Sequence, residues 1–186
     1  EYLNIIQKNS NLLLQLINDI LDLSKIEAGQ LEFSYAPADV NDALQELEDS
    51  FRLRVPAGVD YYKRPALKKC VIVMEKNRVM QILANYISNS IKHTTRGSIT
   101  FGYYPPSNGV IRFYVRDTGC GIPADKHKDV FERFVKLDNF KQGTGLGLSI
   151  CRMIAEKINA AIGVESEVGK GSEFWVDIPF QPVEVA

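Results

Sequence analysis

The chain has 186 residues, of which 45% are apolar and 24% charged, with a formal net charge of −1. That composition suits a globular domain with one buried core plus an appendage, and 22 basic against 23 acidic side chains argue against a polyanion-binding surface, so nucleic acid is excluded as the first partner class. No apolar run approaches the ~20 residues that cross a bilayer.

Residues 1–28 predict a helix, with no Pro and no Gly before Gly29. Ile6, Leu13 and Ile20 fall on one heptad position, Leu16 and Leu23 on another, and Leu12, Ile17 and Leu21 widen the stripe. A lone helix of this kind is marginal in water, so pairing in a bundle is expected. Asn9 either sits in that seam and sets register or lies at a solvated helix end. Gly29 supplies the C-terminal cap and places a domain boundary there. Leu31, Phe33 and Tyr35 alternate with polar residues as a half-buried strand does, and Pro37 ends it. Residues 39–53 return to helical spacing through Val40, Leu44, Leu47 and Phe51, opened by Asp39 or Asn41 as cap. A strand follows at 67–74 and a long helix at 75–94. Strands are expected at 98–104 and 110–117, joined by a turn containing Pro105, Pro106, Asn108 and Gly109. Helices are expected at 125–135 and 146–159, and strands at 161–167 and 172–179. Short turns between successive strands predict a mixed or antiparallel sheet with helices on one face.

Three segments carry chemistry. In the helix Asn85 to Thr94, Asn85, Asn89 and Lys92 are spaced by four and three and share a face. Carboxamide oxygens suit Mg²⁺ and an ammonium suits phosphate; a polar solvent-facing stripe reads the same way. Asp117, Thr118, Gly119, Cys120, Gly121 and Ile122 follow a strand. An ionised acid there can accept a hydrogen bond from an exocyclic amine, and the two glycines let a flat ligand approach backbone; a simple turn is the alternative. Gly143, Gly145 and Gly147 alternate and open a helix, an arrangement that leaves backbone N–H groups and the positive helix end facing a phosphate. The spacing is neither that of a dinucleotide fingerprint nor that of a P-loop. Cys70, Cys120 and Cys151 include no Cys-x-x-Cys pair, which predicts neither a disulfide framework nor zinc and suits a reducing compartment. Cys120 reads as a small loop residue with nothing basic beside it to favour a thiolate.

Taken in order, these motifs resemble the ATP-binding domain of sensor histidine kinases of two-component systems, within the gyrase, Hsp90, histidine kinase and MutL superfamily. QILANYISNSIKHT resembles the N box, DTGCGI the first glycine box, FERF (Phe131 to Phe134) the F box and GTGLGLSI the second glycine box. Gly169 to Phe174 resembles the closing Gly-x-Gly-Ser/Thr-x-Phe turn, and INDILDLSKIEAG the second helix of the dimerisation and phosphotransfer hairpin. The resemblance covers nearly the whole chain. It implies an α+β fold, a two-layer α/β sandwich of Bergerat type, with about five strands under three helices and a protruding N-terminal helix. Residues 1–29 would be part of the hairpin and 30–186 the ATP-binding domain.

Carried over to this sequence, the resemblance makes Asn89 a Mg²⁺ ligand, with Asn85 beside it, and sets Lys92 on phosphate. His93 would either contact the ligand or pack locally. Asp117 would bind the adenine amine, with Gly119, Gly121 and Ile122 lining the base pocket and Ser172 helping through water. Thr144, Gly145, Leu146, Gly147 and Leu148 would hold the phosphates. Residues 135–142 would form a short lid carrying Lys136 and Lys141. In the ATP-hydrolysing branches a Glu stands four residues before the Mg²⁺-binding Asn. Here that position is Asn85, which cannot act as a base, so phosphoryl transfer is expected in place of vigorous hydrolysis.

The family's nucleophile is a histidine on the first hairpin helix. This chain has only His93 and His127, neither in a matching helix, so no catalytic nucleophile is expected within it. The implied cofactors are ATP and Mg²⁺. The implied partners are a response-regulator receiver domain and a second copy of the chain through the N-terminal helix. The sequence opens on Glu1, inside a predicted helix, and so reads as a cytoplasmic piece of a longer protein with room for a membrane anchor elsewhere. Two rivals share the fold: a non-catalytic nucleotide-binding scaffold, which the intact motif set disfavours, and a serine kinase of the anti-sigma-factor type, which lacks the hairpin helix.

Overall fold

A computed structural model describes residues 2–135 and 144–182. The chain begins with helix α1 (Tyr2–Glu27), which ends as the glycine predicts. Gly29 takes φ +66° and donates to the Ile26 carbonyl, while Gln30 N–H donates to the Lys25 carbonyl at 2.9 Å. These two bonds satisfy carbonyls that the helix end would leave unpaired.

The expected strand at 31–35 does not form. Leu31 is buried and Phe33 packs on the core, so the alternation reports burial correctly, but no neighbouring strand pairs with it. Glu75 pins the segment instead, accepting a hydrogen bond from Ser34 N–H at 3.2 Å. Strand β1 lies one step later, at Ala36–Asp39, and contains Pro37. It is an edge strand beside β3 (Val71–Met74), the position where a residue without an N–H is tolerated.

Helix α2 (Val40–Arg52) is capped by the Asp39 carboxylate, which accepts from Asn41 N–H, and buries Val40, Leu44, Leu47 and Phe51. Strand β2 (Val59–Arg64) has no counterpart in the sequence reading. Helix α3 (Lys76–His93) is capped by the buried Glu75 through Arg78 N–H at 2.7 Å. Strands β4 (Gly97–Tyr103) and β5 (Val110–Asp117) fall where expected. The helix expected at 125–135 resolves into two short 3₁₀ turns, Ala124–Lys126 and Asp129–Phe131, followed by Phe134 at φ +61°. Helix α4 (Gly147–Lys157) and strands β6 (Ala161–Glu167), β7 (Gly171–Pro179) and β8 (Gln181–Pro182) complete the chain.

The main sheet runs β2-β4-β5-β7-β6, with β2 and β4 parallel and every other pair antiparallel. Ile99 and Phe101 of β4, Ile111, Phe113 and Val115 of β5, and Phe174 and Val176 of β7 alternate inward. They form the core with Ile82, Leu83, Tyr86 and Ile87 of α3 and Ile150 and Ile154 of α4. This is the anticipated two-layer α/β sandwich of five strands and three helices, with a second small sheet, β1-β3-β8, added.

The other face of the main sheet is laminated by paired side chains. The Trp175 ring lies against Gly163, where a Cβ would strike the indole. The Arg112 guanidinium stacks 4.1 Å above that ring and pairs with Asp177 at 2.6 Å. Helix α1 packs its C-terminal half onto the sandwich through Leu16 and the buried Ile26. Ile6, Leu13, Ile17, Ile20 and Leu21 stay exposed, so α1 protrudes as expected.

Candidate functional site

The register of β5 sets the floor of the site. Asp117, the last residue of the strand, lies opposite Ile99 on one side and Ser172 on the other. It is only 5% exposed. Its Oδ2 accepts from the buried Ser90 hydroxyl at 2.9 Å, and its Oδ1 from Gly119 N–H at 2.9 Å. Burial raises the Asp117 carboxyl above the usual carboxylate range, and hydrogen bonds from Gly119, Ser90 and the Ser172 backbone act the other way. A partly desolvated acid held by fixed donors at the bottom of a cleft is a strong acceptor for an amine.

The loop after Asp117 is clamped by the β6–β7 turn. Gly169 N–H donates to the Cys120 carbonyl at 2.8 Å, and Ile122 N–H donates to Ser166 Oγ at 2.7 Å. Gly121 takes φ +71°, and a Cβ there would collide with the Glu167 carbonyl. Both conditions require glycine. A Cβ at Gly171 would likewise strike the Asp117 carbonyl.

Above this floor lies a cavity of about 550 Å³, within the range of nucleotide-sized sites. Twelve of the residues anticipated from sequence line it: Asn85, Asn89, Lys92, His93, Asp117, Gly121, Ile122, Thr144, Gly145, Gly147, Leu148 and Ser172. Gly119 and Leu146 do not reach it and act from behind. Gly119 donates to Asp117, while the buried Leu146 donates its N–H to Thr144 Oγ at 3.2 Å. Asn85 is partly occupied in joining helices, since its Nδ2 donates to the Gly147 carbonyl at 3.4 Å. The second glycine box begins at Gly143, which, with residues 136–142 of the expected lid including Lys136 and Lys141, lies outside the described residues, while Val135, the first lid residue, lines the cavity.

Cys120 differs from its sequence reading. The fold brings His93 Nδ1 within 3.9 Å of its Sγ, so an imidazole does stand beside the thiol. Cys70 and Cys151 are buried and unpaired by any disulfide, as expected.

Sequence reasoning missed the second layer and one wall. Ser90 and Ser166 hold Asp117 and Ile122. Gln15 of α1 lines the cavity, Asp19 accepts from the Thr144 hydroxyl at 2.6 Å, and Asp22 Oδ2 accepts from Gln81 Nε2 at 2.8 Å. Gln15, Asp19 and Asp22 are spaced by four and three, so a polar stripe on one face of the helix was the available signal.

The residues present fit a nucleotide with a hard cation. Asp117 and the glycine loop offer an acceptor and open backbone to a flat group, and Lys92 and the α4 N-terminus at Gly147 line the same cavity, where an anion would be favoured. Asn89 and Asn85 supply neutral carboxamide oxygens, a donor type that suits a hard cation such as Mg²⁺. Among the described residues no group of three or more His, Cys, Asp or Glu side chains is placed to hold a metal. None of the described helices is long and apolar enough to cross a membrane.

The family described as Histidine kinase-, DNA gyrase B-, and HSP90-like ATPase matches residues 74–182. The Sensor protein GacS of Pseudomonas syringae pv. syringae is 35% identical over 96% of this chain and 21% of its own length. The Circadian input-output histidine kinase CikA of Synechococcus elongatus is 35% identical over 99% of this chain and 26% of its own. The chain therefore spans about a tenth to a quarter of the length of the curated relatives it matches. Among solved structures, full-length ShkA in complex with AMPPNP superposes with a TM-score of 0.88 at 31% identity, covering 99% of this chain and 39% of ShkA. ThkA in complex with the response regulator protein TrrA shares the fold, with a TM-score of 0.77 at 24% identity over 99% of this chain and 52% of that one.

Proposed function

Because the chain belongs to the histidine kinase-, DNA gyrase B- and HSP90-like ATPase family, we propose that it binds ATP with Mg²⁺ in the cavity above Asp117 and, within its parent protein, donates the γ-phosphoryl group to a histidine. From there the group would pass to an aspartate of a response-regulator receiver domain. The observation that carries the adenine end is Asp117: a buried carboxylate, fixed by Ser90 and Gly119, at the bottom of a glycine-walled cleft.

The roles follow from position. Asp117 accepts from the adenine amine, and Gly121 and Ile122 wall the base, with Ser172 beside Asp117. Lys92, Thr144 and the backbone of Gly145 and Gly147 meet the phosphates. Asn89, with Asn85 nearby, would hold Mg²⁺, which would supply positive charge to offset that of the phosphates. Asn85 stands where a hydrolytic site needs a base, which leaves water unactivated and favours transfer to an external nucleophile. Residues 1–29 serve as the second hairpin helix and 30–186 as the catalytic domain, facing the cytoplasm. The match to full-length ShkA, solved in complex with AMPPNP, supports the ligand class.

The test is calorimetric titration of the chain and of Asp117→Asn with AMPPNP and Mg²⁺. Micromolar to submillimolar binding is expected, weakened about tenfold or more by the substitution, as for loss of a hydrogen bond to a charged group. A folded wild type that takes up no nucleotide would sink the assignment.

A further inference from the structure

The contact between α1 and the second glycine box has a chemistry of its own. Thr144 Oγ donates to Asp19 Oδ2 at 2.6 Å and at the same time accepts from Leu146 N–H at 3.2 Å. Its single proton is therefore committed to the carboxylate. Asp19 also feels the positive charge of Lys92, and Gln15, one turn before it on the same face, lines the cavity. An anion thus already sits at the rim where the site gathers a hydroxyl, an ammonium and a helix N-terminus. Burial raises the Asp19 carboxyl, and the Thr144 hydrogen bond and Lys92 oppose that rise.

We propose that Asp19 is an internal competitor for the phosphate end of the nucleotide, so that docking of α1 against the cavity and phosphate occupancy disfavour each other. The proposal rests on the nucleotide reading above. A phosphate that takes the Thr144 hydroxyl places a second anion beside Asp19, and one of the two must leave. Displacing Asp19 removes one of the polar ties that, among the described residues, hold α1 to the sandwich. Others are Asp22 with Gln81 at 2.8 Å and Glu27 with Arg133 at 2.6 Å. Coupling is reciprocal: whatever loosens α1 tightens the nucleotide, by the factor with which the nucleotide loosens α1.

The experiment compares the chain with Asp19→Asn, which keeps the shape and removes the charge. Mg²⁺-AMPPNP and AMP are titrated into each, and amide exchange of residues 12–22 is followed with and without AMPPNP. The expected result is a Kd for AMPPNP about fivefold lower or better in Asp19→Asn, with the Kd for AMP unchanged. Exchange in α1 should rise on adding AMPPNP to the wild type and be raised already in ligand-free Asp19→Asn. Equal AMPPNP affinities, or weaker binding by Asp19→Asn as expected of a Mg²⁺-coordinating acid, would overturn the competition. An equal gain for AMP would overturn it too, since it would mean general loosening. A wild type that binds neither ligand would instead refute the nucleotide site itself.

Discussion

Asp117 pairs function with a cost to the fold. Its carboxyl is raised by burial, so the folded chain holds that proton more tightly than the unfolded chain does. Its contribution to stability is then fullest below the ordinary carboxylate range and is lost as pH rises through the raised value. Asp117→Asn removes the charge, so its thermal midpoint at neutral pH should equal or exceed the wild type's, with the difference closing as pH falls towards 4, near the ordinary carboxylate value. A lower midpoint at neutral pH would show that the bonds from Gly119 and Ser90 outweigh burial. Gly121→Ala combines a disfavoured φ of +71° with a collision at the Glu167 carbonyl. It should lose about 1–3 kcal/mol in urea unfolding and most of its nucleotide affinity. Asp117, Asn89 and the glycines were legible because their chemistry lies in short runs of sequence. Ser90, Ser166 and Asp19 were not. Ser90 meets its partner 27 positions away, Ser166 meets Ile122 44 away and Asp19 meets Thr144 125 away, distances that only the fold closes.

Elements were legible where burial and pairing agree. Helix α3 and strands β4, β5 and β7 lie within a residue or two of their expected bounds, because each alternates or repeats against a partner on both sides or a full face of core, and the edge strand β6 does so through Ile162 and Val164, which pack on the core beside β7. Residues 31–35 carried the alternation without a partner strand, so period alone misled. The segment 125–135 has helix-forming side chains, but its buried Val130 and Phe131 are anchored to the sandwich and Phe134 turns to positive φ. Strand β2 escaped notice because it is a short edge strand whose inward positions, Val59 and Tyr61, are too few to stand out. It depends on close approach to β4: a Cβ at Gly102 would run into the Arg64 carbonyl. Gly102→Ala should therefore cost about 1–3 kcal/mol in urea unfolding. AMPPNP affinity should be unchanged in the folded protein, since neither Gly102 nor Arg64 lines the cavity.

The exposed stripe of α1 belongs to the whole molecule. Ile6, Leu13, Ile17, Ile20 and Leu21 face solvent together, and apolar patches of this kind usually mark contact surfaces. Sedimentation should show concentration-dependent self-association, abolished by Leu13→Glu with Ile20→Glu; a monomer at all concentrations would count against α1 as a dimer helix. Joining a preceding hairpin helix that carries a histidine should produce acid-labile phosphohistidine from ATP, which the chain alone should not form. The outer face of the sheet offers a way to watch such events. Trp175 is the chain's single tryptophan, and along β7 it points away from Phe174, which lines the cavity. Wedged between Gly163 and the Arg112 guanidinium, the indole should change emission when the sheet comes apart and stay silent when the cavity fills. Its fluorescence melt then moves only through binding linkage, by about 2.7 kcal/mol at a ligand concentration of 100 Kd, giving an optical gauge of occupancy free of direct quenching.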